Sequence, residues 1–578
     1  MVNAIKKRGQ KFVRKFSRAS AKASAESKEH IKENLFRRIS HVRGIRLLIL
    51  EWGLLIAALF MLGVAQAIWF TTSYEEEVFV NGGTYAEATV GRVNSMNPLF
   101  ATTTSEKVLS ELMFATLVGV DYSGHPGPEL AESVVSDASG KVWTMKLREG
   151  LLWSDGEPLT VDDVMFTVEL IQNPAVNTIY GANLEGVKAS VNEQGEVVFT
   201  LSAGYADFLS ALVIPVVPKH VLADVPVKTL VEAEFSTTPV TSGAFFFNAV
   251  QTTTTEGENT YYLSANPLYY LGRPMVNSFA VHTYADKDAV MAAVNAGAVT
   301  ATAELSGAEA HEVSNPAFVV NESAVNSGAF AFFNASNEVL SNVEMRRAIR
   351  QGIDVATLRE KAPGTNALDY PLLASQIKLS SYPALPEYDF EAARTKIAEL
   401  ANGREMRINV TTVDSGYLPE VAAALVEQLR ALGMESDVIT YAESQDFVAS
   451  VLSKRNYAIL LYETPLGSDP DLLPYYHSSQ TGSAGLNLSN YRNTLVDDLL
   501  VGARETLEPA LRARKYESFL NYWVNDVPAI GIYQGVLTYV RNVGARAYGD
   551  KVHLVTGIDR FSDVTEWAVS RGVRNKTP

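Results

Sequence analysis

The chain has 578 residues, of which 47% are hydrophobic and 10% aromatic, and it contains no cysteine. That length exceeds what a single core supports, so two or more domains are expected, and the apolar content excludes global disorder. The lack of cysteine excludes disulfides, thiolate metal sites, cysteine nucleophiles and lipid attachment through an N-terminal cysteine. Charge is divided unevenly. Residues 1–46 hold 14 Lys/Arg and three Asp/Glu, or +11, which leaves −27 on residues 47–578 of a chain whose net charge is −16. An acidic body is unsuited to nucleic acid and suits solubility outside a cell, whereas a basic arm suits a place near anionic phospholipid.

In chain order, residues 1–46 alternate basic and small residues, with sparse apolar anchors at Phe12, Val13, Phe16 and Phe36. They read either as a solvated tail or as an arm on the cytoplasmic leaflet, where each Lys or Arg contributes about 1 kcal/mol. Residues 47–70 form an apolar run whose only charge is Glu51. As a helix rising about 1.5 Å per residue, the run crosses a hydrocarbon core of about 30 Å. Trp52 and Trp69 lie near its ends, as interfacial aromatics do. The basic excess before it and Glu75-Glu76-Glu77 after it put the N-terminus in the cytoplasm and everything beyond Thr71 outside. Ala65-Gln66-Ala67 is a small-x-small site, so a cleaved signal peptide is the rival reading. The length of the basic region and of the apolar run favours an uncleaved anchor.

The ectodomain opens at Val78 with a Gly-Gly pair, a strand at 84–90, the loop Asn94-Ser95-Met96-Asn97-Pro98, a helix near 105–116 and a strand at 117–120. Residues 124–170 predict a hairpin around Asp137–Gly140, a short strand at Leu151-Leu152-Trp153 and a turn at Ser154-Asp155-Gly156-Glu157-Pro158. Thr160 and Asp163 then give a T-x-x-D cap, and Val161, Val164, Met165 and Val168 recur at helical spacing. Further on, 173–184 reads as a loop, 197–201 as a strand and 205–213 as a helix.

The second half begins with an alternating strand at 329–334 and a capping box at Ser341-Asn342-Val343-Glu344. Strands at 406–413, 437–441 and 457–462 alternate with helices at 419–432, closed by Gly433, and at 444–454. That order implies a mostly parallel sheet with right-handed crossovers. A long amphipathic helix at 510–524 leads to a short apolar strand at 528–533.

The order and residues of 124–170 closely resemble the N-terminal lobe of family 5 extracellular solute-binding proteins, the oligopeptide- and dipeptide-binding components of ABC importers. Other segments extend the resemblance over roughly 80–570. Among them are the Asn94–Pro98 loop, TPVTSGAFFF at 238–247, SANPLYY at 264–270 and VEMRRAIRQGIDVATL at 343–358. It implies an α/β two-lobe periplasmic-binding-protein-like fold of class II, preceded by one transmembrane helix. The divisions are a basic arm at 1–46, a membrane helix at 47–70, lobe I at 78–327 with 534–578 returning to it, and lobe II at 328–533. Two crossings, near 327–333 and 526–534, would close the lobes over a buried ligand.

No enzyme site emerges from the residues. Asp162-Asp163 and Asp497-Asp498 are adjacent on helices, point apart, and read as solvated faces. The eight histidines show no metal spacing, and no P-loop or nucleophile elbow is present. Neither a metal nor a cofactor is expected. By the resemblance, Asn94, Ser95, Tyr180, Ser242, Gly243, Glu463, Thr464, Leu466 and Tyr533 match cleft-lining positions. In peptide-binding relatives, an acid in the loop after the Gly-Trp strand end anchors the peptide's α-amino group. Here Asp469-Pro470-Asp471 is kept, but the anchoring acid falls on Leu466, which cannot pair with an ammonium, and the Trp position falls on Glu463, which offers a replacement carboxylate.

The expected function is a membrane-anchored extracytoplasmic receptor that captures peptides or similar solutes and delivers them to an ABC permease. Its expected partners are the solute, the permease and the lipid bilayer at 47–70, with no nucleic acid and a monomeric ectodomain. The alternative is a non-transporting ligand sensor or envelope adaptor on the same fold.

Overall fold

The computed structural model describes residues 46–121, 123–253, 258–442, 445–549 and 553–575. The basic arm, apart from Arg46, lies outside the described residues. The chain divides into two units, one made of the N-terminal residues through Val78 with those from Arg571 on, the other of Phe79–Ser570.

In the first unit, Arg46–Tyr74 (α1) is one helix that runs unbroken through Ala65-Gln66-Ala67. Its window Leu50–Trp69 has a mean hydropathy of 1.9 and none of it is buried. Leu54, Phe60 and Leu62 are 63%, 73% and 67% exposed. By length and composition the helix is long and apolar enough to cross a membrane. It continues into the strand Glu75–Val80, which pairs with Ser570–Asn575, and Arg571 meets Glu77 at 3.1 Å.

The second unit starts with Thr84–Val90 (β1) and Thr104–Met113 (α2). The hairpin Ala131–Ser136 (β2) and Val142–Leu147 (β3) turns where the Asp137 carboxylate accepts from the backbone N–H of Lys141 and Val142 at 3.0 and 3.1 Å. Residues 151–153 were expected as a strand but make a single bridge, Leu152 to Pro158, because the Ser154–Pro158 turn follows at once. Val161–Gln172 (α3) starts at the expected cap, with both halves of the Thr160–Asp163 box formed. Asp163 corrects the solvated-face reading. It is 4% exposed, and its second oxygen accepts from Lys219 N at 2.9 Å.

Lys188–Val191 (β4) and Val197–Thr200 (β5) complete a four-stranded antiparallel sheet in the order β2-β3-β5-β4. The helix expected over 205–213 is one turn, Phe208–Ala211. Phe245–Thr252 (β6), Asn259–Ala265 (β7) and Ser278–Tyr284 (β8) form an antiparallel meander whose last strand lies parallel to β1. Lys287–Ala296 (α4) then leads to Ala301–Thr302 (β9), on the other side of β1.

Phe318–Phe333 (β10) is far longer than the strand expected at 329–334. Val343–Gly352 (α5) is capped by Asn342, whose side chain accepts from Glu344 N, so the expected Ser341 box is replaced by a simple cap one residue later. Val410–Val413 (β11), Leu418–Ala431 (α6), Val438–Tyr441 (β12) and Ile459–Pro465 (β13) form the α/β unit, with β11 parallel to both β12 and β13. Thr494–Glu505 (α7) and Pro509–Asp526 (α8) pack on each other before Ala529–Asn542 (β14).

The main sheet runs β12-β11-β13-β10-β14-β9-β1-β8-β7-β6, so β10 and β14 are the strands that both halves share. Two large cores flank them. One gathers Tyr85, Trp153, Phe199 and Trp567, and the half built on it is called lobe I below; the other gathers Phe330, Ile349, Leu425 and Leu520, and its half is called lobe II. Between the cores the β10–β14 ladder is interrupted from Ala324 to Gly328. There Asn326 N turns away from β14 and donates to Leu554 O and Val555 O. Across the gap Gln534 Nε2 donates to Val325 O at 2.9 Å, and the pairing of β10 with β13 starts at Ser327.

Candidate ligand-binding cleft

Glu463 sits at this interruption. It lies on β13 opposite Ala329 of β10, and its Oε1 accepts from Ser327 Oγ at 2.5 Å. Gly535 of β14 passes close by, so that a Cβ there would push aside the ends of the Ser327 and Glu463 side chains, Oγ and Oε1. Asn326 is 2% exposed and uses all its polar groups. Its O accepts from Leu466 N at 2.8 Å, its Nδ2 donates to Gly467 O at 2.9 Å, and its Oδ1 lies 3.0 Å from His553 Nε2.

Two cavities meet at Glu463. One, of about 400 Å³, is lined by Asn326, Ser327, Leu418, Thr464 and Val555–Gly557. The other, of about 180 Å³, is lined by Glu304, Glu322, Tyr417, Tyr533 and Lys287. Both take walls from the two sides of the interruption. The second is rich in carboxylates, and the one cation that lines it among the described residues, Lys287, is held 3.2 Å from Glu309. Glu304 Oε1 is buried without a hydrogen-bond partner, and burial raises that carboxyl above its usual range. Burial, then Glu463, raises the Tyr533 phenol, so it stays a neutral donor facing an acid.

The sequence-derived residues separate into groups. Glu463, Thr464 and Tyr533 come together here. Leu466 does not line these cavities; it is 8% exposed and packs in the lobe II core, while its backbone N–H ties to Asn326. Asn94 donates from N and Nδ2 to Glu106 Oε1 at 2.8 and 3.2 Å, and Ser95 is buried with its Oγ accepting from Asn97 N. Ser242 Oγ accepts from Ala115 N at 3.1 Å, so it braces lobe I.

Gly243 and its neighbours face a separate cavity of about 410 Å³, lined by Glu111, Phe114, Glu129, Tyr269, Tyr270 and Asp559. Burial, then Glu129 and Asp559, pushes the Glu111 carboxyl up to about 8, and burial pushes Glu129 up to about 7. Tyr180 is raised by burial and then by Glu111, which puts it near this side of lobe I. Glu111, Glu129 and Asn326 are not singled out by the sequence, and Ser327 is marked there only as the start of a crossing. Each is an ordinary helix, strand or loop residue whose role appears only when distant segments meet. Among the described residues no group of three or more His, Cys, Asp or Glu side chains is placed to hold a metal.

The family description "Bacterial extracellular solute-binding proteins, family 5 Middle" matches residues 125–485. The chain belongs to family 5 of the bacterial extracellular solute-binding proteins. One relative, the oligopeptide-binding protein AppA of Bacillus subtilis, is 25% identical over 480 residues, covering 78% of this chain and 86% of its own. The structure of that protein in complex with a nonapeptide superposes with a TM-score of 0.69 at 21% identity, covering 85% of this chain and all of that one. NikZ of Campylobacter jejuni in complex with Ni(L-His) also scores 0.69, at 22% identity, over 84% of this chain and 99% of its own. Family 5 membership and these superpositions show the class II two-lobe fold.

Proposed function

We propose that this family 5 protein captures peptides, or solutes that like them carry a cationic amine, in the cleft around Glu463, and delivers them to an ABC permease. The observation that carries the reading is the place of Glu463. A carboxylate held by Ser327 stands at the meeting point of two cavities, in a chain that has Leu466 at the position of the family's usual acid. In a low-dielectric cleft such a carboxylate fixes an ammonium by a charge-assisted hydrogen bond. Glu322 adds to the same sign of charge, and the oligopeptide-binding relative supports the peptide class.

The mechanism follows from the hinge. Residues 78–327 and 534–578 act as lobe I and 328–533 as lobe II, open lobes admit the solute, and contacts from both sides stabilise closure. The protein binds its solute without transforming it, as a monomeric ectodomain. The apolar exposed helix α1 holds it at the membrane by a single span, with the N-terminus inside and the two lobes outside. An intact N-terminal sequence on the mature, membrane-bound protein supports this anchor, and a mature chain beginning at Ile68 sinks it.

A thermal-shift screen with peptide pools of graded length tests the solute class. Only the native state binds, so a peptide at 100 times its Kd adds about 2.7 kcal/mol of stability. If no pool raises the melting temperature while other amine-bearing solutes do, the peptide version fails.

A further inference from the structure

The lobes touch at a second place, and there one charge is left over. Residues 204–210 of lobe I abut 468–471 and 504–505 of lobe II. Ala206 N donates to Arg504 O at 2.7 Å, Ser210 Oγ and Ser468 Oγ lie 2.8 Å apart, and the Arg504 guanidinium stacks over the Tyr205 ring at 5.2 Å. A Cβ on Gly204 would stand 2.7 Å from Ser139 O and 3.2 Å from Glu505 O, so the backbones themselves are in contact.

Lobe II supplies a balanced set of charges. Arg512 forms a two-pronged pair with Asp469, and Arg504 reaches Asp471 with Nε at 3.2 Å and Nη2 at 2.6 Å. All four belong to lobe II, so these pairs outlast any parting of the lobes. Into this set lobe I inserts Asp207, whose carboxylate accepts from Ser210 Oγ on its own turn at 2.5 Å. Among the described residues it makes no ion pair. Three aspartates therefore share two arginines. The other titratable groups around them are Tyr205, Tyr516, over which Arg512 stacks at 5.5 Å, and His125, whose charge acts on Asp469.

We propose that Asp207 makes lobe closure take up a proton, so that the closed form gains as pH falls and opening is favoured as pH rises. In the closed form, burial, then Asp469 and Asp471, holds the Asp207 carboxyl well above the usual range. Parting the lobes returns it to water and removes it from both aspartates. A carboxyl that binds its proton more tightly when closed favours closure below its closed-state pKa and opposes it above. Solute capture and release are thereby coupled to the pH outside the membrane, whatever the solute.

The chain's lack of cysteine gives a direct test. Val135→Cys on β2 and Leu495→Cys on α7, at positions 63% and 57% exposed, take one spin label in each lobe. Pulsed spin–spin distances are measured on the full chain in lipid nanodiscs, with no solute, from pH 5 to 9. The closed-to-open ratio should fall with rising pH, by at most about tenfold per unit for one proton. Asp207→Asn, which mimics the protonated acid, should stay closed with no pH dependence. Asp207→Ser, also uncharged, should likewise lose the dependence and serves if the Asn variant does not fold. An unchanged pH dependence in a folded variant, or none in the parent, overturns the proposal. Because no solute is added, neither outcome turns on what the cleft binds.

Discussion

Arg560 and Glu87, from opposite ends of the second unit, form a buried ion pair in which the two side chains are 2% and 0% exposed. Arg560 Nε lies 3.1 Å from Glu87 Oε1, and Glu87 Oε2 accepts from Tyr539 Oη at 2.8 Å, which lies 2.8 Å from Tyr85 Oη. The network joins β1, β14 and the segment Gly557–Glu566, so it fastens the returning chain to the start of lobe I. Removing one partner strands a buried charge. Glu87→Gln or Arg560→Met should each cost about 3–5 kcal/mol, and the double variant should cost less than the sum. Urea unfolding of the four proteins checks this; additive losses would refute the coupling.

The cap of α3 predicts an asymmetry between its two members. Thr160→Ala should cost about 1 kcal/mol, the ordinary value for a lost N-cap. Asp163→Ala should cost more, because the same carboxylate also accepts from Lys219 N, 56 positions away. Melting temperatures of the two variants rank them, and equal losses would mean that the long-range bond contributes nothing.

At Gly243, a Cβ would stand 2.5 Å from Met113 C, 2.6 Å from Phe114 N and 2.8 Å from Leu112 O. Backbone cannot yield as a side chain can. Gly243→Ala should therefore destabilise by about 1–3 kcal/mol, whereas Gly272→Asn, in open space with φ +90°, should cost less. Thermal melts of the two variants compare them directly.

Stability should depend on pH in a stated direction. Glu111 and Glu129 are raised to about 8 and about 7 in the folded state, so the native protein binds more protons than the unfolded chain between the ordinary carboxylate range and pH 8. Stability should then fall as pH rises from about 5 to 8. Glu106 and Glu309, both lowered, act only at more acid pH. The melting temperature across pH 5–8 checks the slope, which Glu111→Gln with Glu129→Gln should flatten.

Local features were the legible part of this chain. The Thr160–Asp163 cap, the Asp137 turn and Gly433 closing the helix before it follow from residues within a few positions of one another. The lengths of β10 and β14 did not, because their outer halves mix polar and apolar residues without a strict alternation and are held as strands by pairing with each other, from Phe318 opposite Asn542 to Ala324 opposite Val536. Asp163 looked solvated because Lys219, its second partner, is distant in sequence. In the cleft, Glu463 could be marked as a departure from the family pattern, whereas Ser327, Asn326 and Gly535 gain meaning only where the hinge strands converge. Leu466 was aligned to a ligand position, yet the turn after β13 points its side chain into the lobe II core.

The central claim, that Glu463 holds an amine in the inter-lobe cleft, has a direct measurement. Isothermal titration of the parent and of Glu463→Gln is done with a nonapeptide in two forms, free and acetylated at the N-terminus. The account predicts that the parent prefers the free amine and that the Gln variant loses about 2–5 kcal/mol of binding to it while treating the two forms alike. Equal binding of both forms by the parent, or an unchanged preference in the variant, would contradict it.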